Sequence, residues 1–138
     1  MTSIKEVVAF VEANRHSYLL SRRADGLPTG YPMTAFADPE EGTIRFSTYR
    51  ASAKVRNVER EGVATVLARS YTPGDTRYAV LRGKLEVTSD VSFLDKPRNA
   101  EDSALLPGNY KDVAREAHAS GKRCILLLTV EDAYMSEA

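Results

Sequence analysis

The amino-acid sequence predicts a mainly β fold, an antiparallel β-barrel of six strands with short flanking helices. Six segments are rich in β-branched and aromatic residues, and tight turns that contain glycine or proline join most of them. A doubly wound parallel sheet is disfavoured, because it would need a helix after nearly every strand. Closure into a barrel also removes exposed strand edges.

Chain length and charge limit the classes of function. The 138 residues suit one domain with a single core, so residues 1–138 are assigned to one domain. The 19 lysine and arginine residues are balanced by 19 aspartate and glutamate residues. No overall field would therefore recruit nucleic acid or an anionic membrane, and any anion site is expected to be local.

The sequence also predicts a cytoplasmic protein. The N-terminus lacks a signal-type segment, and no apolar stretch approaches the roughly 18 to 20 residues of a transmembrane helix. The single cysteine, Cys124, excludes an intramolecular disulfide and begins an apolar run. A buried structural thiol in a reducing compartment is expected.

The first half of the chain predicts a helix and three strands. Ser3 and Glu6 have capping-box spacing, and apolar residues follow at helical spacing to about Ala13. Strands are predicted at residues 17–22, 29–37 and 43–48. The first two form a hairpin around the turn at residues 25–28.

The second half predicts three further strands and two helices. The strands cover residues 63–68, 77–88 and 124–131. One helix is expected over residues 52–60, with Gly62 as its C-terminal stop, and another over about residues 110–120.

The junction between the third strand and the following helix carries the most suggestive chemistry. Hydroxyl groups and cations cluster between Phe46 and Asn57. Free backbone N–H groups at a helix start can bind an anion. Lys54 and Arg56 lie in the first turn, where a cation is disfavoured unless an anion is bound nearby. The alternative is that these long side chains extend into solvent.

This junction contains the string Thr-x-x-x-Ser-x-Lys-x-x-Asn, from Thr48 to Asn57. It follows a helix, two strands and an acidic turn that ends at Gly42, and a later strand carries Gly83. With these features, about residues 4–88 resemble the flavin-binding core of the pyridoxamine 5′-phosphate oxidase-like superfamily.

The resemblance implies a six-stranded antiparallel split β-barrel that pairs as a homodimer. The cofactor, FMN, would lie in a groove made by both subunits. The residues that the resemblance assigns to this groove are Met33, Thr34, Ser47, Thr48, Tyr49, Arg50, Ser52, Lys54, Arg77 and Tyr78.

Their roles follow from the same resemblance. Ser52 and Lys54 would hold the cofactor phosphate, and Ser47 and Thr48 would line the groove. The backbone of Met33 and Thr34 would face the flavin ring. Arg77 and Tyr78 would approach from the partner subunit.

The chain departs from the true oxidases at several positions. Those enzymes carry an arginine and a lysine in place of Tyr31 and Phe36, and an arginine in place of Ala53. They also have a C-terminal extension that completes the substrate site, whereas this sequence ends at Ala138. We therefore do not expect oxidation of pyridoxamine phosphate.

The smaller set of phosphate-binding residues keeps the deazaflavin coenzyme F420 as the alternative cofactor. Its long acidic tail would suit scattered cations, here Arg50, Lys54, Arg56 and Arg60.

The expected function is an oxidoreductase that transfers a hydride between the cofactor and an unidentified small organic substrate. The cofactor supplies this chemistry, so no catalytic side chain is assigned. His16 and His118 lie in no metal-ligand motif, and no metal is expected. The alternative is a non-catalytic protein that binds or sequesters FMN, coenzyme F420 or haem.

Overall fold

A computed structural model describes residues 2–95 and 110–138. Three α-helices cover Ile4–Ala13 (α1), Ala53–Glu61 (α2) and Tyr110–Ala119 (α3), and a 3₁₀ turn covers Ser92–Asp95. The described strands are His16–Arg22 (β1), Pro28–Thr34 (β2), Phe36–Asp38 (β3), Thr43–Tyr49 (β4), Val63–Arg69 (β5), Arg77–Thr88 (β6) and Arg123–Glu137 (β7).

The strands form one antiparallel sheet in the order β2-β1-β5-β6-β7-β4-β3. The two edge strands, β2 and β3, are separated in sequence by Ala35 alone. One residue spans only a few ångströms, so the sheet must curl until its opposite edges approach each other. This curled sheet confirms the predicted split barrel.

The strand predicted over residues 29–37 is two strands. Residues 28–34 pair with β1, whereas residues 36–38 pair with β4 at the opposite edge of the sheet. At the break, the Ala35 N–H donates to the Arg15 carbonyl (2.9 Å). The alternation of residue types along a sequence does not indicate where a strand changes the strand with which it pairs. This explains why a single strand was predicted.

The longest strand pairing joins β6 and β7 and contains a bulge between Arg82 and Gly83. A Cβ atom on Gly83 would lie 1.9 Å from the carbonyl oxygen of Thr129. Only glycine permits so close an approach of the two backbones. Beyond the bulge β7 continues to Glu137, six residues past the predicted end at residue 131, because β6 remains its partner there.

The predicted N-terminal cap of α1 is present, and Ser52, predicted as the first residue of the second helix, caps α2 instead. Ser3 Oγ accepts from the Glu6 N–H (3.2 Å), and Ser52 Oγ accepts from the Val55 N–H (3.3 Å). Gly62 ends α2 with φ of 67°, and its N–H donates to the Val58 carbonyl (2.8 Å). The predicted bounds of all three helices agree with the observed bounds to within one or two residues.

One main apolar core fills the concave side of the sheet. Its members from the helices include Val7, Val8, Val11, Val55 and Val58, and those from the strands include Leu19, Ile44, Phe46, Leu81, Leu126 and Leu128. Cys124 is also buried in this core, as expected. Since α1 and α2 each bury an apolar face in this core, both helices are part of it.

A smaller cluster lies on the opposite side of β4 and β7. Ile125 packs there with Phe93 and Leu94 of the 3₁₀ turn, and Phe36 packs against them. Within residues 2–95 and 110–138, no helix is long and apolar enough to cross a membrane.

Candidate functional site

The side chain of Lys54 lies between α2 and β2. Its Nζ is 3.6 Å from Met33 Sδ and 5.7 Å from the centroid of the Tyr31 ring. The side chain is half-buried, and among the described residues no carboxylate lies within ion-pairing distance. We call Tyr31, Met33, Lys54 and Asn57 the Lys54 corner.

A hydrogen-bonded network fixes this corner. Asn57 Nδ2 donates to the Tyr31 hydroxyl (2.8 Å), and Asn57 Oδ1 accepts from Arg60 Nη2 (2.9 Å). Arg60 Nη2 also donates to the Arg22 carbonyl (2.6 Å). Asn57 is buried, so its amide holds the Tyr31 ring beside Lys54 in one orientation.

The other predicted residues of the junction are engaged in local structure. Ser52 Oγ caps α2, and Thr48 is buried opposite Cys124. The Arg50 N–H donates to the Lys122 carbonyl (2.9 Å), and its guanidinium contacts the Cys124 thiol. Burial raises the pKa of that thiol and outweighs the opposing effect of Arg50, so Cys124 is a neutral structural group.

Ser47 and Tyr49 lie on the other face of β4, because successive side chains of a strand alternate. Ser47 Oγ accepts from Arg123 Nε (3.0 Å) and lies 3.1 Å from His118 Nε2 of α3. Arg123 Nη2 donates to the Ser47 carbonyl (3.0 Å), and its guanidinium stacks 4.6 Å from the Tyr49 ring centroid. Ser47 therefore anchors α3 to the sheet.

His118 is buried in this anchor. Burial, together with the nearby charge of Arg123, lowers its pKa. The ring is therefore neutral at pH 7, and its Nε2 is hydrogen-bonded to the Ser47 hydroxyl, with the donor set by the ring tautomer. No group of three or more metal-ligating side chains forms among the described residues.

Met33 and Thr34 line a small pocket of about 240 Å³ at the β1–β2 edge, together with Tyr18. Arg77 and Tyr78 line a larger pocket of about 540 Å³ beneath the turn between β5 and β6, and Tyr18 lines this pocket as well. The two groups that the resemblance assigned to different subunits thus border neighbouring pockets of one subunit.

The predicted site residues are consequently dispersed rather than gathered at one place. Met33 lies with Lys54, Ser47 with Tyr49, and Arg77 with Tyr78. Sequence reasoning did not assign Asn57, His118 and Arg123 to the site, although Asn57 ends the motif. Arg123 reaches Ser47 across 76 positions of sequence, so no local pattern could have indicated it.

The curled antiparallel sheet defines the chain as a split-barrel protein. The sequence model of the family described as pyridoxamine 5′-phosphate oxidase matches residues 3–137, and the chain belongs to this family. A comparison with curated protein sequences found no match.

Solved structures of similar fold include a protein described as an F420 reductase. It has a TM-score of 0.63 at 19% identity, over 91% of this chain and 94% of that chain. A conserved hypothetical protein from Mycobacterium tuberculosis has a TM-score of 0.69 at 19% identity, over 99% and 86% of the two chains.

A third similar structure is an FMN-binding protein from Nostoc punctiforme that is described as related to pyridoxamine 5′-phosphate oxidase. Its TM-score is 0.63 at 19% identity, over 95% of this chain and 78% of that chain. At these identities the comparisons show the shared fold.

Proposed function

We propose that this protein binds a flavin-type cofactor, FMN or coenzyme F420, and transfers a hydride between it and a small organic substrate. The observation that carries the proposal is the Lys54 ammonium, which lies in the first turn of α2 without an ion-pair partner among the described residues. A cation at that end of a helix is unfavourable alone and favourable beside a bound anion.

The groups at the Lys54 corner suit a phosphate. The N–H groups of Ala53 and Lys54 have no acceptor within α2, because the first amides of a helix lack intrahelical partners. Val55 and Arg56 instead donate to the Ser52 hydroxyl and carbonyl. Two free amides and one ammonium match the charge and the oxygens of a phosphate ester.

Coenzyme F420 would require further cations for its acidic tail. Arg60 is already bound to Asn57 and to the Arg22 carbonyl, and Arg50 contacts Cys124. Arg56 is exposed on α2 and has no ion-pair partner among the described residues. The tail would therefore pass beside Arg56.

A bound flavin or deazaflavin would supply the hydride chemistry. The residues of this chain would then bind and orient the ring and exclude water. Met33 and Thr34 would present backbone groups to the ring edge, and Tyr18 would line the adjoining surface. No proton transfer by a side chain is required.

We also propose that the protein functions as a homodimer in the cytoplasm. Tyr18, Leu67, Val80 and Tyr134 are consecutive cross-strand neighbours on the convex face of the sheet. Tyr18 and Tyr134 remain 47% and 42% exposed. A second copy would bury this apolar row through a two-fold, self-complementary contact. The buried free thiol of Cys124 suits a reducing compartment.

Equilibrium titration of the purified protein with FMN, and separately with coenzyme F420, tests cofactor binding. We expect saturable binding of one of them, and Lys54→Ala should weaken it by about 1.5 to 3 kcal/mol, the scale of a charge-assisted hydrogen bond. Lys84→Ala, which removes an exposed lysine on β6, is the control and should not change the affinity. Binding of neither cofactor would contradict the proposal.

A turnover measurement separates an oxidoreductase from a carrier. The reduced cofactor, free and protein-bound, is mixed with menadione as an artificial hydride acceptor. Faster reoxidation in the complex supports the oxidoreductase. Slower reoxidation in the complex would contradict it and indicate a protein that sequesters the cofactor.

A further inference from the structure

The Tyr31 hydroxyl at the Lys54 corner has a hydrogen-bond donor that the folded chain does not use. A tyrosine hydroxyl accepts through its oxygen and donates through its proton. The oxygen accepts from Asn57 Nδ2 (2.8 Å). Among the residues that the structure describes, no group accepts the proton. Tyr31 is only partly buried, so this proton is available to a ligand.

The orientation of the Asn57 amide determines which group donates. The oxygen and nitrogen ends of a carboxamide are distinguished by their hydrogen-bond partners. Arg60 Nη2 can only donate, so the end of the amide that it contacts at 2.9 Å is the oxygen, Oδ1. The NH₂ end therefore faces Tyr31 and donates to its oxygen. The Tyr31 proton is consequently not used in the bond to Asn57.

The network that holds Tyr31 joins three elements of the fold. Asn57 and Arg60 lie on α2, Tyr31 lies on β2, and Arg60 Nη2 also donates to the carbonyl of Arg22 on β1 (2.6 Å). Asn57 is only 8% exposed, so water competes little for its amide. The Tyr31 ring packs against the main core. The hydroxyl is therefore held in place before any ligand binds, which lowers the cost of binding.

The Tyr31 hydroxyl is also close enough to Lys54 to share one anion with it. Lys54 Nζ lies 5.7 Å from the centroid of the Tyr31 ring. A phosphate with a hydrogen bond on either side spans about 8 Å, so one phosphate can contact both the ammonium and the hydroxyl of this ring. The Asn57 amide cannot supply such a contact, because both of its ends are engaged.

We propose that the Tyr31 hydroxyl donates a hydrogen bond to the cofactor phosphate beside Lys54. Asn57, which Arg60 holds in place, is the positioning residue that leaves the Tyr31 proton free for this bond. The inference rests on the proposed function, in which Lys54 binds the same phosphate. Tyr31 is not among the groove residues predicted from the sequence.

Binding titrations test the contact with Tyr31. FMN is compared with riboflavin, and coenzyme F420 with its phosphate-free chromophore, in the wild type and in Tyr31→Phe. We expect Tyr31→Phe to weaken binding of the phosphate-bearing ligand by about tenfold, because a hydrogen bond to a charged group is lost, and to leave the phosphate-free ligand unaffected. Tyr134→Phe, which removes an exposed hydroxyl from the convex face of the sheet, is the matched control and should bind every ligand as the wild type does.

Asn57→Asp tests the positioning role. A carboxylate at this position can still accept from Arg60, but it cannot donate to Tyr31 and would accept the Tyr31 proton instead. In the Asn57→Asp background we therefore expect Tyr31→Phe to weaken binding of the phosphate-bearing ligand by less than about twofold. An equal effect of Tyr31→Phe in both backgrounds would overturn the positioning role and leave Asn57 a purely structural part of α2.

The outcomes for Tyr31→Phe separate this inference from the proposed function. No change in affinity, or an equal loss for the phosphate-bearing and phosphate-free ligands, would overturn the Tyr31 contact. If Lys54→Ala still removed the advantage of the phosphate, the proposed function would stand without that contact. A wild-type protein that binds neither FMN nor coenzyme F420 more tightly than its phosphate-free counterpart would overturn both proposals. The Tyr31→Phe test does not depend on the folding of Asn57→Asp.

Discussion

Individual residues of the Thr48–Asn57 motif and its neighbours have different tasks. Lys54 lies against β2 and has no ion-pair partner among the described residues. Its positive charge is therefore available to bind an anion. Ser47, by contrast, is fully engaged with Arg123 and His118. The sequence placed Lys54 in the first turn of the helix, where the structure has it, because a position in a helix is local information; its role toward a phosphate stays a prediction. The engagement of Ser47 depends on α3, far away in sequence.

The His118 anchor makes stability depend on pH. Burial and Arg123 lower the pKa of His118 in the folded protein. In mildly acidic solution the unfolded chain therefore binds more protons than the folded chain, and the free energy of unfolding falls as the pH drops below the ordinary histidine range.

Urea unfolding at several pH values from about 7.5 to 5 measures this dependence. His118→Gln can still bond to Ser47 but cannot titrate, so we expect a shallower loss of stability with falling pH than in the wild type. The same pH dependence in both proteins would show that His118 does not contribute.

At the level of secondary structure, local sequence signals predicted most elements well. Ser3 and Gly62 mark helix ends through a side chain and a backbone conformation, and each lies where it was expected. The strand over residues 29–37 was misjudged, since its two parts differ only in the strand with which they pair. Neither the bulge nor the full length of β7 is visible in the sequence, because both depend on β6.

The β6–β7 bulge gives a direct test of the strand pairing. Gly83→Ala would place a methyl group against the Thr129 backbone, so we expect a loss of about 3 kcal/mol or more in the free energy of unfolding. Gly30→Ala is the control, because the one close neighbour of its new methyl group would be the flexible end of Leu20 (2.9 Å), with the Leu19 carbonyl oxygen at an ordinary 4.0 Å. Chemical denaturation of both variants provides the measurement, and similar small losses would contradict the register described.

For the whole molecule, closure of the sheet follows from a single short connection. Ala35 joins opposite edges of the sheet, so the barrel is a consequence of topology as well as of strand propensity. The sequence predicted the barrel from its turns and strand count. It did not indicate which residues would share a pocket, and Tyr18 emerged only from the folded chain.

The proposed dimer is also a property of the whole molecule, and its molecular mass in solution tests it. Leu67→Asp places a charge in the middle of the convex apolar row, so we expect the molecular mass from sedimentation equilibrium to fall from twice the monomer mass toward the monomer mass. Thr129→Asp, at an exposed position of β7 outside the row, should remain dimeric. A wild-type protein that is monomeric at all concentrations would exclude this interface.

The central claim is that Lys54 binds the phosphate of a flavin-type cofactor, and a thermodynamic cycle tests it most directly. The affinities of FMN and of riboflavin, which lacks the phosphate, are measured for the wild type and for Lys54→Ala. We predict that the phosphate strengthens wild-type binding by about tenfold or more and that most of this advantage is lost in Lys54→Ala. An equal advantage of FMN over riboflavin in both proteins would contradict the account.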